Sequence, residues 1–208
     1  MRKSPMTVSN SSSPNAAPKR AGARAKGASV ADWNVVISTR GEGYRATRAA
    51  LREFGRVGRT EYFNVLVMKV ADIAAFLEDL RSLAAINPAL FKDFGRIAPA
   101  AETFDFETGP AFEQKLREWA SRRLPALAGK SFHCRIHGRG LRPLASHRAA
   151  EQTLNCALLD ALAAAGTPGS LDFTDPLAVI AVETVGHRAG VSLWTREDLQ
   201  KYPFLRPD

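Results

Sequence analysis

The sequence predicts an α+β fold of two units that follow a basic tail. Two observations carry this prediction. From residue 33 onward, segments with the apolar pattern of a strand alternate with segments whose apolar residues recur at helical spacing. A polar stretch at residues 102–110 separates two such series. We therefore place a tail at residues 1–30, a first domain at residues 31–108 and a second domain at residues 109–208.

The tail is rich in Ser, Pro, Ala, Gly, Lys and Arg, and residues 1–28 contain no acidic and no aromatic side chain. Such a segment buries too little apolar surface to offset its ordering entropy, so we expect it to be disordered. Its cations either remain solvated or add salt-sensitive affinity for RNA phosphates. Its start has neither the apolar segment of a secretory signal nor the amphipathic helix of a transit peptide.

The first unit shows a strand, helix, strand, helix, strand order, which is typical of a ferredoxin-like α+β domain. The run at residues 62–70 is almost continuously apolar, as in a strand buried on both faces. The predicted elements are a strand at 33–38, a helix at 44–54, a strand at 62–70, a helix at 73–84 and a strand at 94–98.

The second unit reads as a small α/β layer. Its first helix has an apolar face and is predicted to end at Pro125. Gly186 and Gly190 bound the loop of a predicted hairpin. The remaining predicted elements are a strand at 132–136, a helix at 146–165 and the hairpin strands at 179–185 and 191–194.

The net charge of +8 suggests a polyanionic partner. The sharpest concentration of cations is the segment from Lys130 to Glu151, which has no acid before Glu151. If residues 132–136 form a strand, alternation places every second side chain on one basic face. The following helix points backbone N–H groups at the same place, which favours phosphate. The candidate RNA-binding residues are Lys130, His133, Arg135, His137, Arg139, Arg142, His147 and Arg148.

Two alternatives stand beside RNA binding: a His-dependent RNA-processing enzyme, and a protein-interaction adaptor in which the basic groove is incidental. His133 and His137 are conceivable acid and base groups. Each is followed two residues on by Arg, whereas two-histidine phosphodiesterases carry Thr or Ser there. We therefore expect no catalytic residue.

No metal ligand set and no cofactor are expected either. No acid or cysteine joins the histidines at ligand spacing, and no dinucleotide-binding or P-loop motif is present. Asp172 and Asp175 fit turn chemistry better than acid–base catalysis. Cys134 and Cys156 are too far apart for a CxxC pair, so each is predicted to be a buried, reduced thiol in a cytoplasmic protein. No apolar run is long enough for a membrane span.

The second half resembles the THUMP domain, which occurs in tRNA thiouridine synthases, methyltransferases and pseudouridine synthases. The matching motifs are GKSFHCR at residues 129–135, GRG at 138–140, LDFTDP at 171–176 and VIAVETV at 179–185. Leu171 and Phe173 replace the commoner Val and Leu of the third motif.

The resemblance implies a ferredoxin-like domain before the THUMP domain, in agreement with the pattern of residues 33–98. It also implies that the module recognises the acceptor end and 3′ tail of tRNA. The chain looks most like stand-alone THUMP proteins, such as the adaptor that supports tRNA cytidine acetylation. On this basis we expect a tRNA-binding adaptor whose catalysis is supplied by a separate modifying enzyme.

Overall fold

The computed structural model describes residues 30–41, 43–140 and 147–207, with the backbone alone at residue 90. The predicted tail lies outside the described residues except for Val30, which is buried. Arg142 also lies outside them. The described chain forms a four-stranded and a five-stranded β-sheet with helices packed on them, which confirms the α+β fold class.

The first unit is ferredoxin-like. Its four strands are all antiparallel, in the order β2-β3-β1-β4. The chain forms β1 (Val35–Thr39), α1 (Tyr44–Leu51), β2 (Arg56–Arg59), β3 (Val65–Lys69), α2 (Ile73–Ile86) and β4 (Phe94–Pro99). A short 3₁₀ helix, Leu90–Lys92, precedes β4.

Strand β2 was absent from the sequence-based prediction, and it completes the β-α-β-β-α-β order of this fold. Its four residues, Arg-Val-Gly-Arg, are too polar to show a strand pattern, and pairing with β3 gives them their conformation. The predicted strand at residues 62–70 also starts later, at Val65, because residues 60–64 form the turn after β2.

The second unit has the strand order β5-β9-β8-β6-β7. Within this sheet, β6 is parallel to both neighbours, and the other pairs are antiparallel. Its strands are β5 (Glu102–Asp105), β6 (Ser131–Arg139), β7 (Ser170–Leu171), β8 (Ala178–Val185) and β9 (Arg188–Thr195). Its helices are α3 (Gly109–Ser121), α4 (Leu124–Leu127), α5 (His147–Ala164) and α6 (Arg196–Lys201).

Two predictions for this unit need correction. Residues 102–105, predicted as part of a polar linker, form β5 at the edge of the second sheet, where they pair with β9. Pro125 does not end the preceding helix: α3 ends at Ser121, and Pro125 lies in the first turn of α4. Proline is tolerated there because the first N–H groups of a helix have no intrahelical acceptor.

Three apolar clusters hold the units together. The second sheet packs against α3 and α5 through residues such as Phe112 and Phe132. The first sheet packs α1 and α2 on one face, and this cluster also takes in Trp194, Tyr202, Phe204 and Leu205 from the end of the chain. On its other face, Trp33 and neighbouring valines form a third cluster. The first sheet is therefore buried on both faces, as the apolar run of β3 predicts.

Candidate functional site

Strand β6 organises the predicted site, and its alternation is confirmed. Phe132, Cys134 and Ile136 point into the core of the second unit. The intervening side chains, His133, Arg135 and His137, therefore share the opposite face. The three side chains do not form a common basic surface, because each has different surroundings.

His133 is fully buried and cannot contact an RNA molecule directly, contrary to its place among the predicted contacts. Its Nδ1 lies 2.8 Å from the carbonyl oxygen of Asp172. Because a carbonyl only accepts, Nδ1 must carry the hydrogen. Its ring stacks on Phe173 with the centroids 5.3 Å apart. His133 thus fixes the 171–176 loop against β6.

His137 is also drawn into the interior. Its Nε2 donates to the carbonyl oxygen of Pro207 over 2.8 Å. Burial, together with the nearby charges of Arg96, Arg139 and Arg135, lowers the pKa of His137 to about 4. The ring is therefore neutral at pH 7 and brings no positive charge to a ligand.

Arg139 belongs to a buried ion-pair network that joins the two sheets. Its Nη1 lies 2.9 Å from Oε2 of Glu183 on β8. Arg96 on β4 of the first sheet pairs with Oε1 of the same carboxylate at 2.6 Å. Arg139 also donates to the hydroxyl of Ser38 on β1 over 3.4 Å. Two guanidinium groups thus share one carboxylate, which leaves this junction with a net positive charge.

Arg135 lies beside α5. Its Nη1 is 3.7 Å from Oε2 of Glu151, and a third of its side chain is exposed. The other oxygen of Glu151 accepts the backbone N–H of Ile136 over 2.7 Å. One turn further along α5, Oδ1 of Asn155 accepts the N–H of Cys134 over 2.9 Å. Polar side chains of α5 therefore satisfy the edge of β6 that the short β7 leaves uncovered.

The two glycines of the 138–140 motif permit close approach at the end of β6. A Cβ on Gly138 would collide with the imidazole of His147, which lies over the strand. A Cβ on Gly140, whose φ is +92°, would collide with the hydroxyl of Tyr62 from the first unit. The motif thus lets both the start of α5 and the β2–β3 loop approach the end of β6 closely.

The structure does not gather all the predicted residues in one place. Lys130 precedes β6, so about 30 Å of strand separates it from Arg139. His147 and Arg148 begin α5 beside Gly138, and Arg148 is exposed. Arg139, His147 and Arg148 therefore share the carboxyl end of β6, whereas Lys130 and His133 lie towards the opposite end.

The first unit carries further cations, which the sequence-based site missed. Residues 40–59 contain six arginines and only two acids. Arg45 and Arg48 lie on one face of α1, because they are three residues apart, and Arg52 caps the end of the helix. Among the described residues, Arg40 and Arg59 are exposed and have no carboxylate partner. The excess of arginine in this segment was the available signal.

The acidic and sulfur-bearing side chains considered in the sequence have structural positions. Oδ1 of Asp172 accepts the backbone N–H groups of Thr174 and Asp175 at 2.8 and 3.0 Å, which confirms its turn role. Cys134 is a buried thiol, as predicted, but Cys156 is exposed on α5, contrary to expectation.

Within residues 30–41, 43–140 and 147–207, no group of three or more His, Cys, Asp or Glu side chains could hold a metal ion. None of the helices in these ranges has the length and apolar character needed to span a bilayer.

Comparison with known proteins gives matches among solved structures alone. No protein-family model matches the chain, and no curated protein matches it. The crystal structure of PH1313 from Pyrococcus horikoshii Ot3 aligns with 77% of this chain and 54% of that chain, at 8% identity and a TM-score of 0.50. The match thus spans about half the length of PH1313.

Two further structures align less well. A 4-thiouridine synthetase in complex with RNA and ATP aligns with 77% of this chain and 40% of that one, at 11% identity and a TM-score of 0.48. The solution structure of the THUMP domain of THUMP domain-containing protein 1 aligns with 43% of this chain and 91% of that one, at 15% identity and a TM-score of 0.33. At 8% identity and a TM-score of 0.50, the likeness to PH1313 is one of fold.

Proposed function

We propose that this protein binds RNA, and tRNA in particular, on the surface formed by the end of β6 and the start of α5. The observation that carries the proposal is the meeting of two basic segments at that surface. Arg148 comes from the second unit, next to Arg139 with its Glu183 partner, and the exposed Arg40 and Arg59 come from the first. The contact between Tyr62 and Gly140 brings the two segments together. A phosphate backbone is the polyanion that exposed guanidinium groups recognise best.

We further propose that the protein presents tRNA, held by its acceptor end, to a separate modifying enzyme. The sequence resemblance to THUMP domains supports this choice of RNA and of its end. The start of α5 adds backbone N–H groups and the positive end of the helix dipole, which favour a phosphate there. The basic tail at residues 1–30 would then add affinity for RNA phosphates in general, without distinguishing the 3′ end of the tRNA.

The alternative of a His-dependent RNA-processing enzyme finds little support in the site. His133 has no exposed surface, and His137 is neutral and bonded to a backbone carbonyl. A general acid and base need to reach the reacting oxygens within hydrogen-bond distance. The protein-interaction adaptor is distinguished by an absence of RNA binding.

The test is incubation of the purified protein with labelled tRNA, followed by affinity measurements across a salt series. We expect binding without cleavage, and an affinity that falls steeply as salt rises. Arg148→Ala should make the log–log salt slope shallower by about one unit or less, because one phosphate contact is lost. Arg117→Ala is the matched control, since Arg117 is exposed on α3 and pairs with Glu113.

A second comparison tests the acceptor end. tRNA trimmed of its 3′-terminal nucleotides should bind more weakly than tRNA that lacks the same number of loop phosphates. The Arg139→Ala, Arg142→Ala variant should bind trimmed and intact tRNA alike. Equal binding of both forms by the unmodified protein would refute the acceptor-end assignment and leave RNA binding standing. Cleavage would favour the processing enzyme, and no binding would favour the adaptor.

A further inference from the structure

The β2–β3 loop, residues 60–64, presents a large aromatic side chain to solvent. The ring of Phe63 is 91% exposed, although Phe is among the residues most often buried in proteins. Its neighbour Tyr62 is packed against the third apolar cluster. Phe63 itself belongs to none of the three apolar clusters.

The loop that carries Phe63 is held in a fixed shape. The hydroxyl of Thr60 donates to the carbonyl oxygen of Val65 over 2.9 Å. Asn64 adopts a left-handed backbone with φ of +56°. Its carbonyl oxygen accepts the N–H of Thr39 over 2.9 Å, and its side-chain amide donates to Gly41 over 3.3 Å. These bonds fix the backbone on either side of the Phe63 side chain.

The loop also stands next to the proposed RNA-binding surface. The Tyr62 hydroxyl contacts Gly140, immediately after Arg139 on β6. Arg59 precedes the loop and is exposed, and the bond from Asn64 to Gly41 places Arg40 alongside it. One acid, Glu61, lies in the loop, and its carboxylate interacts with Tyr62. Phe63 is thus an exposed ring on a loop that follows Arg59 directly and that is bonded to the segment of Arg40.

We propose that Phe63 is a stacking platform for an unpaired base of the bound RNA. This inference rests on the proposed RNA-binding function and deepens it, because it specifies single-stranded RNA at this point. A phenyl ring has no hydrogen-bonding group, so it offers a base only its face. Single-stranded RNA is commonly held in this way, by cations on the backbone and aromatic rings on the bases. A rigid loop makes the contact without a further ordering cost.

The experiment compares two RNA probes and three variants. The probes are a single-stranded 12-nucleotide RNA and a blunt-ended RNA duplex with the same number of phosphates, and binding is followed by fluorescence anisotropy. Phe63→Ala should weaken binding of the single strand by about 5- to 150-fold, the range for loss of one stacked base. Binding of the duplex should not change, because its bases are already stacked on one another.

Two variants serve as controls. Phe63→Trp should retain the affinity for the single strand, because an indole ring also stacks. Ile86→Ala should leave binding of both probes unchanged, since Ile86 is an equally isolated apolar side chain, 83% exposed, at the end of α2. The log–log salt slope of Phe63→Ala should equal that of the unmodified protein, because no phosphate contact is lost.

The outcomes separate this inference from the proposed function. If the unmodified protein binds neither probe nor tRNA, RNA binding itself is refuted. If it binds tRNA and Phe63→Ala binds the single strand as tightly as before, stacking is refuted and RNA binding stands. Equal weakening for single strand and duplex would also refute stacking, because the ring would then act through something common to both probes.

Discussion

At the scale of single residues, the surroundings of a side chain decide its role more than its type. His133 and His137 occupy alternate positions of one strand, yet both are bonded to backbone carbonyls and neither serves as an exposed cation. Arg139 is a cation by type, but it is first of all a partner of Glu183. The protein therefore uses the conspicuous residues of its basic segment largely to build the site, and their exposed neighbours to surround it.

His137 should make stability depend on pH. Its pKa falls from an ordinary value of 6.5 to about 4 in the folded protein. Between these values the unfolded chain binds a proton that the folded protein does not, so stability is complete above pH 6.5 and declines as the pH falls towards 4. His137→Gln, which keeps a donor for Pro207 but cannot titrate, should lose less stability between pH 7.5 and pH 5 in urea unfolding. An identical pH dependence in both proteins would contradict this assignment.

Glu183 should be much more important to stability than a surface acid. It is 5% exposed and bonded to two guanidinium groups that are themselves largely buried. Glu183→Gln should therefore lower the free energy of unfolding by about 3–5 kcal/mol, because buried cations lose their counter-ion. The control Glu113→Gln, in an exposed pair with Arg117, should cost less than about 1 kcal/mol.

A second substitution distinguishes loss of charge balance from loss of packing at Glu183. Adding Arg96→Met to Glu183→Gln removes one of the two unpaired cations, so the double variant should recover part of the lost stability. The measurement is again urea unfolding. If the double variant is as unstable as the sum of both single variants, the charge explanation is wrong.

At the scale of elements, β6 depends on α5 for more than apolar packing. The strand is paired with β8 from Phe132 to Arg139, but with β7 only at Ser131 and Phe132. Further along, Asn155 and Glu151 of α5 take the N–H groups that a neighbouring strand would otherwise bind. A helix with polar residues four positions apart on its inner face thus replaces part of a β-strand.

Asn155 tests this replacement. It is 3% exposed, and Asn155→Ala leaves the buried N–H of Cys134 without an acceptor, which should cost about 1–3 kcal/mol. Hydrogen exchange of the Cys134 amide should accelerate in the same variant. Gln152→Ala, an exposed substitution on the same helix, should change stability by no more than about 0.5 kcal/mol. Unchanged exchange at Cys134 would show that the bond contributes nothing.

At the scale of the whole molecule, each unit contains a segment that lies, in sequence, next to the other unit. Strand β5 leaves the first unit and joins the edge of the second sheet. Conversely, Tyr202, Phe204 and Leu205, which follow α6, pack in the core of the first unit. The ion pairs of Glu183 with Arg96 and Arg139 also join the two sheets. Such an arrangement favours unfolding of both units in one cooperative step.

Phe204 tests this coupling. The ring is 7% exposed and lies near Phe91 and Tyr202, so Phe204→Ala should cost about 3–5 kcal/mol. If the units unfold together, hydrogen exchange should accelerate in β1 and in β8 alike. The same substitution at Phe63, whose ring is 91% exposed, should change stability little. Faster exchange confined to the first sheet would show that the units unfold independently.

The sequence by itself determined the features that depend on neighbours along the chain. Alternation gave the buried face of β6, helical periodicity gave α2 and α3, and the short polar spacing at Asp172 gave its turn. These features are local because strand and helix periods, caps and turns involve residues a few positions apart.

Only the tertiary structure decided the features that need a distant partner. β2 and β5 are strands because they pair with β3 and β9, respectively. His133 is buried because the 171–176 loop covers it. The basic surface includes the first unit because Tyr62 meets Gly140. Pairing, burial and charge neutralisation are set by contacts between remote segments, and a pattern along one segment carries no information about which segment will meet it.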